Sequence, residues 1–204
     1  MSEVWYGDAF RKTEMRAAGD KDQIRVFIEA NRLMRLHGTA PTPDIVPSKY
    51  FWPYVNGEIK PPADGLFKAA GNLMVTKKCA EIMRPFDFGD GYLHECWFYQ
   101  NDQTTKLPDP YYALVFGASK TALIPDRSTA RPNSYNDKLW DIVIDPKYGD
   151  AVVSSDALTG ADIWIDPTVS LGFFVSGALY DALKTAGFAN NFYFSQCEVV
   201  TDPT

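Results

Sequence analysis

The chain has 204 residues, a length typical of one domain or of two small ones. Apolar residues make up 46% of it and charged residues 23%, which excludes a disordered chain, a fibrous repeat and a coiled coil. The net charge is −6, and the acidic excess lies in residues 141–204, which carry nine acidic side chains and two lysines. An acidic surface repels nucleic acid and anionic lipid and attracts a basic partner. The alternative is a solvated acidic face that only keeps the protein soluble.

The sequence predicts a cytoplasmic protein. Its first residues, MSEVWYGDAFRK, lack the apolar stretch of a secretory signal, and no run approaches the roughly 18 apolar residues of a spanning helix. The three cysteines, Cys79, Cys96 and Cys197, are too few and too scattered for a disulfide framework. We therefore expect free thiols and no contact with a membrane.

The predicted elements begin with a short strand in residues 4–10 and a helix after it. Asp20 and Gln23 form a capping-box pattern at the start of that helix, and Gly38 supplies its end. Residues 39–65 contain six prolines together with several aromatic residues, which predicts an extended connector packed on the core. We expect residues 1–64 to form one domain with residues 65–204.

Two strand–helix–strand units follow, an even hundred residues apart. Thr76 is the predicted cap of the first helix and Ser176 the cap of the second. Residues 92–99 and 111–116 predict an aromatic hairpin between the units. The match between residues 74–76 and 174–176 indicates either an internal duplication or convergence on the same cap and core chemistry.

Together these elements predict an α+β fold: a single compact domain with a mixed or antiparallel sheet and about three helices. The last strand is expected to run from residue 192 to residue 200. A structure that is mostly helical would contradict this fold class.

A shorter repeat lies between the two units, because the sequence DIxIDP occurs at residues 141–146 and again at 162–167. Alternation along a strand places the isoleucines on one face and the other side chains opposite them. If the two strands are neighbours, one face then carries the residues Asp141, Asp145, Asp162, Trp164 and Asp166. This cluster predicts a divalent-cation site, a pair of Asp-Pro turns, or an acidic patch that binds a basic protein.

Few other residues predict chemistry. His94 and Cys96 share one face of a strand, but no CxxC or HxxxH spacing supplies the remaining ligands of a zinc site. The segment at residues 117–121 lacks the upstream glycine of a phosphate-binding loop, and there is no GxSxG elbow. We therefore predict a protein that is not an enzyme and that has no cofactor. The alternative is a metal-dependent hydrolase whose carboxylates are Asp141, Asp145, Asp162 and Asp166.

Three segments of the sequence carry a resemblance to a family. They are NLMVTKKCAEIMRPF at residues 72–86, YLHECWFYQND and PYYALVF at 92–102 and 110–116, and FFVSGALYDALKTAGFANNFYF at 173–194. In this order and spacing, over about residues 65–200, the chain resembles the bacterial polymorphic-toxin immunity proteins called immunity protein eleven. The resemblance implies a protein that neutralises a cognate toxin by tight stoichiometric binding, and it carries over no catalytic residue.

The binding surface for such a partner is predicted in the acidic C-terminal third of the chain. Trp164 is the expected exposed anchor, since interfaces favour an aromatic residue with a charged rim. The alternative is that the chain itself covers this face, with Trp164 in the core and the aspartates in turns. If substitutions at Asp162, Trp164 and Asp166 leave toxin binding unchanged, the loops at residues 101–110 and 125–138 are the next candidates. The predicted binding residues are Asp141, Asp145, Asp150, Asp156, Asp162, Trp164 and Asp166.

Overall fold

The computed structural model describes residues 3–13, 18–51, 64–100 and 102–201. Residues 52–63 of the proline-rich connector lie outside these ranges. The described helices are α1 (Ala9–Lys12), α2 (Lys21–His37), α3 (Lys77–Met83) and α4 (Gly177–Thr185). With the strands given below they form the predicted α+β domain, although α1 is an additional single turn.

Helix α2 begins and ends where its sequence predicts. The Asp20 carboxylate accepts two backbone N–H hydrogen bonds from the first turn, which satisfies donors that have no partner within the helix. Gly38 ends the helix with a left-handed φ of 71°, a conformation that glycine adopts without steric cost. On the apolar side Phe27 and Met34 are buried, whereas Ile28 is 54% exposed. The buried stripe of α2 is therefore narrower than its pattern predicts.

Six strands form the larger sheet, and β3 and β6 are its parallel pair among antiparallel neighbours. Their order is β2 (Ala18–Gly19), β3 (Lys49–Phe51), β6 (Tyr92–Tyr99), β7 (Tyr111–Val115), β5 (Asn72–Thr76) and β4 (Leu66–Ala69). The aromatic hairpin predicted from the sequence is the β6–β7 pair. Tyr50 of β3 is fully buried, so the described start of the connector packs on the core as predicted.

The smaller sheet has four antiparallel strands. Their order is β11 (Ile163–Trp164), β12 (Phe173–Ser176), β1 (Val4–Gly7) and β13 (Phe194–Gln196). Two further pairs lie beside it: β8 (Ala130–Pro132) with β9 (Trp140–Ile142), and β10 (Val152–Ser154) with β14 (Glu198–Val200). The continuous strand expected over residues 192–200 is wrong, because the chain leaves the smaller sheet at Cys197 and pairs with β10 instead.

The two strand–helix–strand units have the same topology. In the first unit the chain runs β4, β5, α3, β6, and β7 lies between β5 and β6. In the second it runs β11, β12, α4, β13, and β1 occupies the place of β7. The registers also agree, since Val75 pairs with Tyr112 and Val175 pairs with Trp5. This agreement favours an internal duplication, with the last strand of the second unit supplied by the N-terminus.

The central strands β5, β7, β1 and β12 are almost entirely buried on both faces, whereas Lys49 of β3 and Glu95 of β6 are exposed. Helices α3 and α4 pack together in the core that the sheets share, through Cys79 and Met83 of α3 and Leu179 and Leu183 of α4. Helix α2 inserts Phe27 against the other face of the larger sheet. Irregular segments between residues 118 and 169 cover the outer face of the smaller sheet. Along these central strands, alternation of apolar and polar residues therefore does not mark a solvent face.

The loop that connects β6 to β7 contains Asp102, whose carboxyl has a lowered pKa. Asp102 accepts hydrogen bonds from the hydroxyl and amide of Thr105 and from the amide of Thr104, which lowers the pKa of this carboxyl to about 2. Because the pKa is depressed in the folded protein, this stabilisation is complete above the unfolded pKa of about 3.9 and is lost as pH falls through 2.

We therefore expect an NMR titration of the Asp102 carboxyl to have its midpoint near pH 2. The Thr105→Val variant should move that midpoint upward, because it removes the hydroxyl donor. An unchanged midpoint in this variant would show that the hydroxyl does not set the pKa.

Candidate functional site

Trp164 is in the core. It is fully buried and stacks on Phe174, with 5.8 Å between ring centroids and 14° between ring planes. The Lys120 ammonium lies 3.7 Å from the centroid of its ring. The prediction of an exposed Trp164 is wrong, because the segments over the smaller sheet bury the face opposite Ile163 and Ile165 as well.

Two of the predicted aspartates form hydrogen bonds that join distant segments of the chain. Asp166 is 1% exposed and accepts hydrogen bonds from the amides of Ala122 and Leu123, each 2.8 Å long. The carboxylate of Asp162 accepts a 2.9 Å hydrogen bond from the Asp87 amide. Their carboxylates therefore stabilise the contacts of distant loops.

The two DIxIDP strands are not neighbours, which corrects the prediction that their aspartates share one face. Strand β9, which carries Asp141, pairs with β8, whereas β11 pairs with β12. Asp141 accepts hydrogen bonds from the Ser170 hydroxyl and the Asn133 amide group, and these lower the pKa of its carboxyl. The sequence left open the alternative that these aspartates are bonded within the chain, and Asp141 is bonded in this way.

The remaining predicted aspartates lie in surface turns. Asp145 and Asp156 are exposed, and Asp145 has a left-handed φ of 56°. Asp150 accepts a 2.7 Å hydrogen bond from the Lys147 amide, which lowers the pKa of its carboxyl. These three aspartates lie in separate surface segments. They do not form an exposed patch around Trp164, because Trp164 is buried.

The possible metal ligands in the described residues are bonded to other groups. His94 Nε2 lies 2.7 Å from the Ser48 hydroxyl, and the Cys96 thiol donates to the carbonyl of Pro47. Burial raises the pKa of the Cys96 thiol to about 12. Within the part of the chain that the structure describes, no group of three His, Cys, Asp or Glu side chains could hold a metal ion. The convergence of aspartates on which the hydrolase alternative depends is therefore not found in these ranges.

The strongest candidate site is a groove that runs along α4 and the edge of the smaller sheet. It consists of two cavities of about 820 and 410 Å³, and Tyr180 lines both of them. We call it the acidic groove, because its charged lining residues in the described chain are Glu3, Asp145, Asp162, Asp181 and Lys184. Four acidic residues and one lysine thus line an open concave surface.

An aromatic pair forms a wall of the acidic groove. Trp5 of β1 stacks on Tyr180 of α4, with 3.5 Å between ring centroids and 9° between ring planes. Trp5 Nε1 has no hydrogen-bond partner among the described residues and is buried in the free protein. The wall therefore combines apolar area with an N–H donor.

Local sequence signals position the residues of this groove. The Ser176 hydroxyl accepts a hydrogen bond from the Leu179 amide and so begins α4, which places Tyr180 and Asp181 at its outer side. The predicted set contained Asp145 and Asp162 but missed Glu3, Trp5, Tyr180 and Asp181. The sequence could have indicated Asp181, because it lies on the polar side of an amphipathic helix. Glu3 and Trp5 gave no such signal, because only the pairing of β1 with β12 and β13 places them at the groove.

Comparison with known proteins does not assign this chain to a family. No family model matches the sequence, and no curated protein matches it. The described helices are all too short or too polar to cross a lipid bilayer. The geometry of the acidic groove is therefore the structural basis for a functional proposal.

Proposed function

We propose that this protein is a non-enzymatic immunity protein, which neutralises a cognate bacterial toxin by tight stoichiometric binding in the cytoplasm. The acidic groove receives a basic segment of that toxin. The observation that carries the proposal is the concentration of four carboxylates around the Trp5–Tyr180 stack. The resemblance of three sequence segments to immunity proteins supports the same function.

The physical argument rests on charge and on aromatic area. Carboxylates in a concave surface focus the negative potential, which raises the rate at which a cationic partner arrives. Stacked aromatic residues offer a rigid surface that loses little conformational entropy on binding, as interface hot spots do. The same negative potential disfavours nucleic acid and anionic membranes as partners.

The Asp181→Lys variant tests this surface. Asp181 is exposed on α4 and lines the groove, so reversal of its charge should leave the fold intact. We expect the association rate with the cognate toxin to fall by about tenfold at low salt, since steering depends on local charge. The difference should shrink at high salt, because the Debye length falls to about 3 Å at 1 M. Stopped-flow mixing with the purified toxin gives both rates.

The matched control is Asp22→Lys, which makes the same charge change at an exposed position on α2, outside the groove and outside the loops at residues 101–110 and 125–138. Its association rate should stay within about twofold of the parent, because steering acts over about one Debye length. Equal effects of the two variants would exclude the groove as the docking site. Stoichiometric binding of Mg²⁺ or Mn²⁺ in a calorimetric titration would instead favour the hydrolase alternative.

A further inference from the structure

An apolar cavity of about 310 Å³ lies where α1, α2, β5 and β7 meet, away from the acidic groove. Its walls include Phe10, Leu73 and Leu114. Ile28 and Leu171 also line it, and they are 54% and 42% exposed, so the cavity is open to solvent between two apolar side chains. A volume near 300 Å³ is at the lower end of the range of small-molecule sites.

The charged residues of this cavity have the opposite sign to the protein as a whole. Arg32 and Arg35 line it, and no carboxylate among the described residues does, in a chain of net charge −6. Arg32 is paired with Glu29 on the exposed side of α2, at 2.7 Å. Arg35 has no such partner among the described residues, and its guanidinium is therefore the free charge of the cavity.

Arg35 is held in place by weak contacts only. Its guanidinium carbon lies 5.6 Å from the ring centroid of Phe10, and Nη1 donates to the Val169 carbonyl over 3.5 Å. Burial lowers the pKa of this guanidinium. A partly buried cation without a counter-ion is costly, and a carboxylate can offset that cost through two parallel N–H···O bonds.

We propose that this cavity binds a small monocarboxylate with an apolar body, of about the size of octanoate, and that Arg35 receives its carboxylate. The apolar body lies in the cavity and covers Ile28 and Leu171, whose side chains are otherwise open to water. This ligand site is independent of the toxin-binding function proposed above, because the cavity and the acidic groove share no lining residue.

Octanoate and octanol provide the test, because they share one apolar chain and differ in charge. In an NMR titration of the full-length protein, octanoate should shift the methyl signals of Leu73 and Leu114. Octanol should bind at least about tenfold more weakly, equivalent to about 1.4 kcal/mol. Equal affinities of the acid and the alcohol would overturn the role of Arg35, and no methyl shift with millimolar octanoate would overturn the site.

Two arginine variants test whether the charge of Arg35 is needed for octanoate binding. Arg35→Gln should reduce the affinity for octanoate about tenfold and leave the affinity for octanol unchanged. Arg25→Gln, at an exposed position of α2 outside the cavity, is the matched control and should bind octanoate like the parent. Unchanged octanoate binding by Arg35→Gln contradicts the proposal. If Arg35→Gln fails to fold, the comparison of octanoate with octanol on the parent protein decides the question.

Discussion

Replacement of Trp164 by alanine should lower the free energy of unfolding by about 3–5 kcal/mol, the range for removal of a large aromatic side chain from a core. Trp164 is fully buried, and its indole fills the space between Phe174 and the segments that cover the smaller sheet. Removal of the ring loses its transfer free energy and leaves a cavity between Phe174 and the segments that cover the smaller sheet. Urea unfolding followed by circular dichroism measures the change.

Two further variants test whether the loss of stability in Trp164→Ala comes from removal of a buried aromatic side chain. Trp164→Phe should cost less than Trp164→Ala, because it keeps an aromatic ring and because Nε1 has no hydrogen-bond partner among the described residues. Tyr135→Ala removes an aromatic side chain that is 97% exposed and should stay within about 0.5 kcal/mol of the parent. A Trp164→Ala protein as stable as the Tyr135→Ala protein would contradict the position of Trp164 in the core.

Replacement of Asp166 by alanine should lower the free energy of unfolding by about 3 kcal/mol or more, since a buried amide without a partner costs about 1–3 kcal/mol. The carboxylate accepts hydrogen bonds from the buried amides of Ala122 and Leu123, and from the amide and hydroxyl of Thr168. Alanine leaves the buried amides of Ala122 and Leu123 without acceptors. The loss should appear in urea unfolding as a lower midpoint with an unchanged slope.

Asp156→Ala is the matched control for this substitution, because Asp156 is an exposed aspartate in the same acidic third of the chain. It should change the free energy of unfolding by no more than about 0.5 kcal/mol. Asp166→Asn, which retains one acceptor oxygen, should be intermediate. If Asp166→Ala and Asp156→Ala behave alike, the hydrogen bonds to residues 122 and 123 do not contribute to stability.

These expectations change how the acidic third of the chain should be tested for toxin binding. Substitutions at Trp164 or Asp166 would act on binding through the loss of folded protein, because both side chains lie inside the domain. Asp181 is exposed on α4, so its charge can be reversed without the loss of an internal hydrogen bond given by the structure. The groove variant is therefore the sharper test of the proposed interface.

The sequence alone determined the fold class and many local elements, although the strands expected over residues 4–10 and 192–200 are both shorter in the structure. Asp20 and Ser176 cap helices through hydrogen bonds to amides within three residues, so their signal lies in a few consecutive positions. The aromatic hairpin and the strands before α3 and α4 follow from short runs in the same way. The repeat with a period of one hundred residues also pointed to two similar units, and the structure shows that these units have one topology.

The tertiary structure alone decided what each strand faces. Alternation places Trp164 opposite two isoleucines, but whether that opposite face meets water depends on segments some forty residues away, such as Ala122 and Leu123. The acidic groove has the same origin, because it needs β1 to insert between β12 and β13 before Trp5 can meet Tyr180. The periodicity of a strand reports its own geometry, whereas burial of its two faces is a property of the distant residues that pack on them.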